Sequence, residues 1–260
     1  MGQSCLRSRA SGGCAVTHPS EAGHWYDKDG KPCYEVPYAD PSKGTRPATL
    51  GDAKKLGLYP GATTIIREAA KPGLERWKQE QILLAALTLP KIEGEAEQDY
   101  IARIIRDSQE QGKQAAAKGT EIHAAIEADQ TTGEYSDFVL AAIAQLADWM
   151  PQAVWTAEQS FSHPLGFGGK VDDHTTDALV DYKSTDKPLE GLKLWDEHAQ
   201  QLAAYREGLG YPEARCAIVY VSRLKPEARL IEIPEKDLQR GWDMFKALLS
   251  YWQARTGHKP

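Results

Sequence analysis

Two short segments of the sequence carry acidic and basic side chains at spacings that suit catalysis. Residues 168–173 read GGKVDD and contain Asp172, and a second segment soon after contains Asp181 and Lys183. Side chains alternate between the two faces of a strand, so Asp181 and Lys183 share one face. If residues 175–177 form the turn of a hairpin, Asp172 lies beside Asp181 on the neighbouring strand. The spacing therefore predicts two carboxylates and one ammonium group at one point.

Two carboxylates beside a lysine suit the hydrolysis of a phosphodiester. Carboxylate oxygens hold Mg²⁺, whose remaining positions go to water and substrate phosphate. The ion activates water and neutralises negative charge on the phosphate oxygens. Lys183 could orient or deprotonate the attacking water, or act as a fixed positive charge beside the phosphate. The alternative is an ordinary Asp–Lys ion pair on a surface hairpin, which accounts for most isolated D-x-K sequences.

A histidine upstream could complete the ligand set of a metal ion. Residues 120–129 predict a helix with Ile122 and Ile126 on its apolar face. His123 lies beside that face, with Glu127 one turn further on. In one interpretation this imidazole is a metal ligand. In the other it is a core side chain, the more frequent role of a histidine at such a position.

A second predicted helix carries polar side chains downstream. His198, Gln201 and Tyr205 follow at intervals of three and four residues, which places an amide and a phenol on one helix face. Both groups can donate hydrogen bonds to phosphate oxygens. The alternative is a solvated polar face.

These residues need both helices and strands to position them. Apolar periodicity predicts about three helices between Thr63 and Lys118, divided at Pro72 and Pro90. A change of period after Gly119 predicts two helices, three strands, a helix, two strands and a final helix. Their predicted bounds are Thr120–Asp129, Tyr135–Met150, Val154–His163, Gly168–His174, Ala178–Ser184, Leu194–Leu209, Cys216–Ser222, Arg229–Ile233 and Glu235–Arg255.

The composition is that of a soluble globular protein. Of 260 residues, 41% are hydrophobic and 26% charged, and no run approaches the roughly 20 apolar residues of a membrane span. The net charge of −6 argues against nucleic-acid binding through a global positive charge and leaves room for a local basic groove. The cysteines show no zinc-site spacing, so we expect reduced thiols at Cys5, Cys14, Cys33 and Cys216.

In this order the motifs resemble the RecB-like branch of the PD-(D/E)xK nuclease superfamily. That branch has a G-x-x-x-H helix, a strand with Glu, a G-x-x-D strand, a D-x-K strand and a Q-x-x-x-Y helix. Each motif is weak alone, and the joint match in the correct order is specific. Over about 119–222 the positions are filled by Gly119 and His123, Glu158, Gly169 and Asp172, Asp181 and Lys183, and Gln201 and Tyr205.

The resemblance implies a role for each of these residues. The metal ligands for Mg²⁺ or Mn²⁺ would be His123, Asp172, Asp181 and the backbone carbonyl of Tyr182. The catalytic groups would be Asp172, Asp181, Lys183 and Glu158. Gln201 and Tyr205 would bind the substrate. Strand alternation permits Glu158 on either face, so a solvated glutamate is the alternative there.

The resemblance also implies the fold and the organisation of the chain. We expect an α/β protein with a restriction-endonuclease-like core over residues 119–260, in which helices flank a mixed central β-sheet. An N-terminal helical lobe would span residues 51–118. Residues 1–50 are rich in Gly, Ser, Pro and Asp and predict an irregular extension.

Residues ahead of the core indicate which nucleases are most similar. The segment 59–66, YPGATTII, with Leu74 and Trp77, resembles elements of phage exonucleases and the mitochondrial genome maintenance exonuclease, although Gly61 stands where Ser is usual. We therefore expect a metal-dependent DNA exonuclease of phage- or prophage-type recombination, repair or degradation. Relatives with an iron–sulfur cluster carry most of their cysteines after the core, where this chain has Cys216, so we expect no cluster.

The expected partner is DNA with a free end. A single-strand-annealing or other recombination protein is a second expected partner, and a membrane is not one. We expect a cytoplasmic location in a bacterial or phage-infected cell. A local DNA groove could use Lys113, Lys118, Lys170, Lys183 and Arg206. Trp77 or Tyr205 could stack on bases, with burial in the core as the alternative for each.

Two other functions compete with this interpretation. A catalytically silent nuclease-fold module that binds DNA or a protein partner would be expected to have lost Asp172, Asp181 or Lys183, and all three are present. A metalloenzyme of different chemistry, such as a zinc peptidase, would be expected to carry H-E-x-x-H, which the chain does not contain. A His–Asp–Asp set beside a lysine suits a hard metal ion and phosphate better.

Overall fold

The computed structural model describes residues 23–260, so Cys5 and Cys14 lie outside the described part of the chain. This part begins with short elements that pair locally. They are strands β1 (Trp25–Tyr26), β2 (Glu35–Pro37) and β3 (Thr45–Pro47), helix α1 (Leu50–Leu56), strand β4 (Tyr59–Pro60) and helix α2 (Ala62–Ile66). Strand β1 pairs with β4 and β2 pairs with β3, both antiparallel.

Residues 23–49 are structured, whereas the sequence predicted an irregular extension through residue 50. Trp25 and Tyr26 are buried, and the Trp25 ring lies 6.3 Å from that of Trp252 near the C-terminus. The strands have two or three residues each, too few to show a period of two. Packing against the core rather than local propensity therefore stabilises them.

Two long helices follow and pack on each other. Helix α3 spans Pro72–Thr88 and helix α4 spans Glu97–Glu127. We call α3 and residues 97–118 of α4 the arm. Proline lies at the start of α3 and just after its end, so the predicted division of this region by prolines is confirmed. Ala85 and Ile104 are buried where the two helices meet.

A five-stranded mixed sheet forms the centre of the rest of the chain. Its strands follow chain order, with β7 and β8 parallel and the other neighbours antiparallel. Eight of the nine elements predicted after Gly119 are present as separate elements, with bounds within two residues of those predicted. They are α5 (Ser136–Trp149), β5 (Thr156–His163), β6 (Phe167–His174), β7 (Ala178–Thr185), α6 (Asp196–Leu209), β8 (Arg215–Ser222), β9 (Ala228–Ile233) and α7 (Glu235–Thr256).

Helices cover both faces of this sheet. Helices α4 and α5 pack on one face, where Ile122 and Val180 belong to one buried cluster. Helices α6 and α7 pack on the other face, where Leu179, Leu202 and Phe245 belong to a second cluster. The protein is therefore α/β with a mixed sheet flanked by helices, as predicted. Within residues 23–260, no helix combines the length and apolar character needed to cross a membrane.

Helix α4 continues through the point where the sequence predicted a new helix. Residues 120–127 are its last two turns, and Gly119 lies inside the helix. Glycine in a helix costs about 1 kcal/mol relative to alanine. Here its lack of a side chain permits close packing, because a Cβ would lie 2.4 Å from Ser184 Oγ on β7. Gly119 thus lets α4 approach the sheet just before His123.

Candidate active site

Strand β7 presents Asp181 and Lys183 to the α6 side of the sheet, as alternation predicted. The Lys183 ammonium lies against the Asp181 carboxylate as an ion pair. Gln201 of α6 joins both groups, since its Nε2 donates to Asp181 Oδ1 (2.7 Å) and its Oε1 accepts from Lys183 Nζ (3.3 Å). Gln201 Nε2 also donates to the Tyr205 hydroxyl (3.1 Å). One hydrogen-bonded group therefore connects β7 with α6.

Asp172 on β6 is held by groups from two other elements. Its Oδ2 lies 3.1 Å from His123 Nε2 of α4. The same oxygen accepts the backbone amide hydrogen of Tyr182 on β7 (2.9 Å). The backbone pairing of β6 with β7 ends at Asp173, which pairs with Val180. Two residues further along β7, the Tyr182 amide therefore bonds to the Asp172 side chain instead of to a backbone carbonyl of β6. The backbone of Tyr182 thus lies next to both candidate carboxylates.

A glycine on β6 makes room for the tyrosine of the group. A Cβ at Gly169 would lie 2.7 Å from Tyr205 Cε1 and 2.8 Å from the Phe161 ring. These distances are far below normal contact, so a larger residue at 169 would push Tyr205 away from Gln201. Both glycines of the motifs, at 119 and 169, are therefore explained by close packing around the site.

A second group of charges adjoins His123. Lys170 Nζ lies 3.4 Å from Glu127 Oε1 and also contacts the Glu158 carboxylate. Glu127 Oε2 lies 3.9 Å from His123 Nδ1. Glu158 has a φ of 59°, a left-handed conformation that residues other than glycine rarely adopt. The structure thus directs Glu158 to Lys170, a placement that simple strand alternation does not describe.

Burial and charge set the pKa values of the two aspartates in opposite directions. Burial raises the pKa of Asp181 even though Lys183 is adjacent. Burial acts upward on Asp172 too, but His123 and Lys183 lower the pKa of Asp172 below its usual range. The Asp172 carboxylate in turn raises the pKa of His123. The pair therefore has unequal proton affinity although both groups are carboxylates.

The donor set fits a hard divalent cation. Carboxylates outnumber ammonium groups here, with Glu127, Glu158, Asp172 and Asp181 against Lys170 and Lys183. Asp181 Oδ2 is buried, and within the described chain it receives no aligned hydrogen bond, although the Lys183 ammonium touches it. A cation would offset the excess negative charge of this group.

Side-chain rotation would be needed before a cation could bind. Among residues 23–260, no three Asp, Glu, His or Cys side chains stand in a metal-binding arrangement. His123 contacts Asp172 Oδ2 and Lys183 contacts Asp181 Oδ2, so one oxygen of each carboxylate already has a charged or polar partner. The residues predicted to bind a metal ion lie close together, but their side chains are not arranged as a coordination shell.

The predicted groove residues have different surroundings. Arg206 is buried, and its guanidinium donates to both carboxylate oxygens of Glu235 at 2.7 and 2.9 Å. The prediction that Arg206 contributes to a DNA path was wrong, because α6 is enclosed between the sheet and α7. Tyr205 is buried as well, which is the alternative role considered for it, whereas Trp77 is 45% exposed.

Sequence analysis missed two tyrosines that lie near the site. Tyr26 and Tyr34 come from the segment predicted to be irregular, and their hydroxyls are 3.1 Å apart. Tyr26 is close enough to Asp172 and Tyr205 for their charges to affect its pKa. The only sequence signal was the aromatic content of His24, Trp25, Tyr26 and Tyr34 in a polar, glycine-rich region.

Comparisons with known proteins leave the family of this chain unassigned. No protein-family model and no curated protein matches it. Among solved structures, one match is the crystal structure of a protein designated SSO0001, with 14% identity and a TM-score of 0.28. The match covers 68% of this chain and 87% of that one. A likeness this weak assigns neither a fold family nor a function.

Proposed function

We propose that this protein is a Mg²⁺- or Mn²⁺-dependent deoxyribonuclease with a restriction-endonuclease-like core that degrades DNA from free ends. The observation that carries the proposal is the convergence of distant residues on one point. Asp172 of β6 contacts His123 of α4 and accepts from the backbone amide of Tyr182 on β7. On either side of Tyr182, Asp181 and Lys183 contact each other and Gln201 of α6. An ordinary surface Asp–Lys pair would not need a buried carboxylate, a histidine and an amide around it.

Each residue has a definite task in phosphodiester hydrolysis. Asp172, Asp181, His123 and the carbonyl of Tyr182 would hold the divalent ion, which supplies Lewis acidity and lowers the pKa of bound water. Lys183 is close enough to Asp181 to place its positive charge beside a phosphate oxygen or to orient the attacking water. Gln201 fixes both side chains, and Tyr205 fixes Gln201.

The decisive experiment compares Asp181→Asn with the wild type. An amide offers one neutral oxygen where a cation needs an anionic ligand, so we expect cleavage of linear DNA in Mg²⁺ or Mn²⁺ to disappear and the fold to persist. EDTA should abolish the wild-type reaction. Asp177→Asn is the matched control, because Asp177 is an exposed carboxylate at the turn of the same hairpin. Near-native turnover by folded Asp181→Asn would refute the metal-site assignment.

His123→Ala tests the nitrogen ligand separately. We expect weaker metal binding and partial recovery of activity at high Mn²⁺, since Mn²⁺ accepts nitrogen ligands more readily than Mg²⁺. Isothermal titration and initial rates over a range of Mn²⁺ concentrations measure both effects. A fall in melting temperature without any Mn²⁺-dependent recovery would make His123 a structural residue.

A further inference from the structure

The N-terminal segment fixes a buried tyrosine against the strand that carries Asp172. Tyr26 is 2% exposed, and a Cβ at Gly168 on β6 would lie 2.8 Å from its ring. Gly61 forms a backbone bridge to Gly168 and also leaves space for the Tyr26 ring, 3.4 Å from its own imagined Cβ. The absence of side chains at Gly61 and Gly168 thus makes room for the Tyr26 ring against β6, and strand alternation places this position on the opposite face from Gly169.

A second tyrosine extends from this fixed ring towards solvent. The hydroxyls of Tyr26 and Tyr34 are 3.1 Å apart, and the two rings meet edge to face at 5.8 Å. His24 stacks on Tyr34 with ring centroids 4.7 Å apart. Tyr34 and His24 are half-buried, so the pair lies at the boundary between core and solvent. Tyr34 is also near enough to Lys170 and Glu158 for their charges to affect its pKa.

Either hydroxyl of this pair can be the donor, and the deeper burial of Tyr26 favours Tyr26 in that role. A buried phenol needs an acceptor for its proton, and the Tyr34 oxygen is the acceptor that the structure provides for Tyr26. When Tyr26 donates to the Tyr34 oxygen, the O–H group of Tyr34 is available to donate to a ligand. Accepting the bond from Tyr26 makes this O–H group a stronger donor. Burial raises the pKa of both hydroxyls, so both stay protonated at neutral pH.

We infer that the Tyr34 hydroxyl, held by Tyr26 against the strand that carries Asp172, donates a hydrogen bond to a backbone phosphate of the bound DNA strand. Tyr26 is a positioning residue that orients Tyr34, and His24 holds the ring from its other side. Tyrosine hydroxyls commonly contact phosphates, and these contacts set the register of a nucleic acid rather than its sequence. This inference rests on the proposed nuclease function.

The test removes single hydroxyl groups and separates binding from chemistry. For Tyr34→Phe we expect DNA affinity to fall and KM to rise by roughly 10-fold, with kcat nearly unchanged, because the contact is made equally before and during the reaction. Tyr26→Phe should have a smaller effect of the same kind. Tyr38→Phe is the control, since Tyr38 is 42% exposed and comes from the same N-terminal segment.

Two measurements make the outcomes distinct. Fluorescence anisotropy with a labelled single-stranded oligonucleotide in EDTA reports binding, and cleavage of the same oligonucleotide in Mn²⁺ reports KM and kcat. If the wild type cleaves DNA and Tyr34→Phe has the same DNA affinity and KM as the wild type, this inference is wrong while the nuclease proposal stands. A lower melting temperature without a change in KM would also overturn this inference, because it shows a structural role. Absence of both binding and cleavage in the wild type would overturn the nuclease proposal as well.

Discussion

The two aspartates of the site differ in what surrounds them, and this difference suggests how they divide their work. Asp172 contacts an imidazole and a backbone amide, so its anionic form is stabilised. Asp181 is more deeply buried, with an amide and an ammonium as neighbours, and its pKa is raised. Pairs of acids with unequal pKa values are typical of sites that move protons.

Replacing Lys183 by alanine should separate catalysis from metal binding. The ammonium lies beside the candidate ligand Asp181 and is not itself a ligand. We expect kcat to fall roughly 10²- to 10⁴-fold while Mn²⁺ affinity changes little. Titration calorimetry and turnover measured on the same preparation provide the two values. Lys187→Ala is a suitable control, because Lys187 is exposed just after β7. An equal loss of affinity and turnover would place Lys183 among the structural residues.

His198 should make the fold sensitive to mild acid. Burial lowers the pKa of His198 to about 4, with Lys183 adding to the effect. Its unfolded pKa is about 6.5, so the unfolded chain binds the proton first. The contribution of the neutral ring is complete above pH 6.5 and is lost as pH falls towards 4, at most about 3 kcal/mol.

His198→Gln provides the comparison for this pH effect. Glutamine keeps an acceptor for the Trp195 amide, which donates to His198 Nδ1 at 3.2 Å. Urea denaturation between pH 7 and 4.5 should show a shallower pH dependence in the variant than in the wild type. Identical slopes would mean that His198 is protonated without cost in the folded state.

At the residue scale, the sequence predicted contacts that depend on regular geometry. The shared face of Asp181 and Lys183 follows from strand alternation. Gln201 was expected to bind substrate, and its hydrogen bonds to both side chains were not predicted. The positive φ of Glu158 breaks the alternation and so could not be predicted from it. Tyr26 and Tyr34 were missed because tertiary contacts place them, and no local pattern records those contacts.

Among the elements, helix α4 contains two glycines that differ in the space available for a side chain. A Cβ at Gly112 would make an ordinary 3.8 Å contact with Trp77, so Gly112→Ala should stabilise the protein by about 1 kcal/mol. A Cβ at Gly119 would collide with Ser184 Oγ, which accepts a hydrogen bond from Arg223 Nη1 (3.1 Å). Gly119→Ala should therefore be less stable than Gly112→Ala by about 1–2 kcal/mol.

A second-site change tests whether the collision is the cause. Ser184→Ala removes the Oγ atom, and the Ser184 Cβ lies 3.5 Å from the imagined Cβ of residue 119, an acceptable contact. Adding Ser184→Ala to Gly119→Ala should recover most of the lost unfolding free energy, measured in urea. Equal stability of Gly112→Ala and Gly119→Ala would show that the helix adjusts to a side chain at residue 119 without strain.

The elements that could be predicted are those with strong boundary signals. Strands β5 to β9 have six to eight residues with glycine, proline or polar turns around them, and their bounds were close to correct. The continuous α4 was predicted as two helices because Gly119 normally weakens a helix. Its role in packing depends on Ser184 of β7, which is 65 residues further along the chain, so the sequence around Gly119 does not reveal it.

At the scale of the whole molecule, the arm carries much of the exposed apolar surface of the described chain. Large apolar side chains remain exposed there, among them Leu83 at 62% and Leu87 at 84%. The ion pair between Lys71 and Glu197 connects the start of α3 to α6. The arm is thus tied to α6 at the start of α3, while its other end runs into the part of α4 that packs on the opposite face of the sheet.

Linear DNA should be degraded while closed circles are spared. The exonucleases that the sequence resembles carry a helical lobe before the core, and an arm joined to the core at both ends favours entry of a strand by its end. The measurement compares a circular single-stranded DNA with its linearised form in Mn²⁺. Equal rates would show that the site is reached without a free end and would make the protein an endonuclease.

The uninterrupted length of α4 has a mechanical consequence. Its last two turns are clamped in the core by Ile122 and Ile126, both 1% exposed, while Tyr100 lies 23 residues before His123. At 1.5 Å per residue that separation is roughly 35 Å, so a tilt of about 10° would swing the far end by roughly 6 Å. The imidazole, close to the fulcrum, would move by only about 1 Å in the same tilt. A tilt of α4 about its buried end would therefore displace Tyr100 several times further than His123.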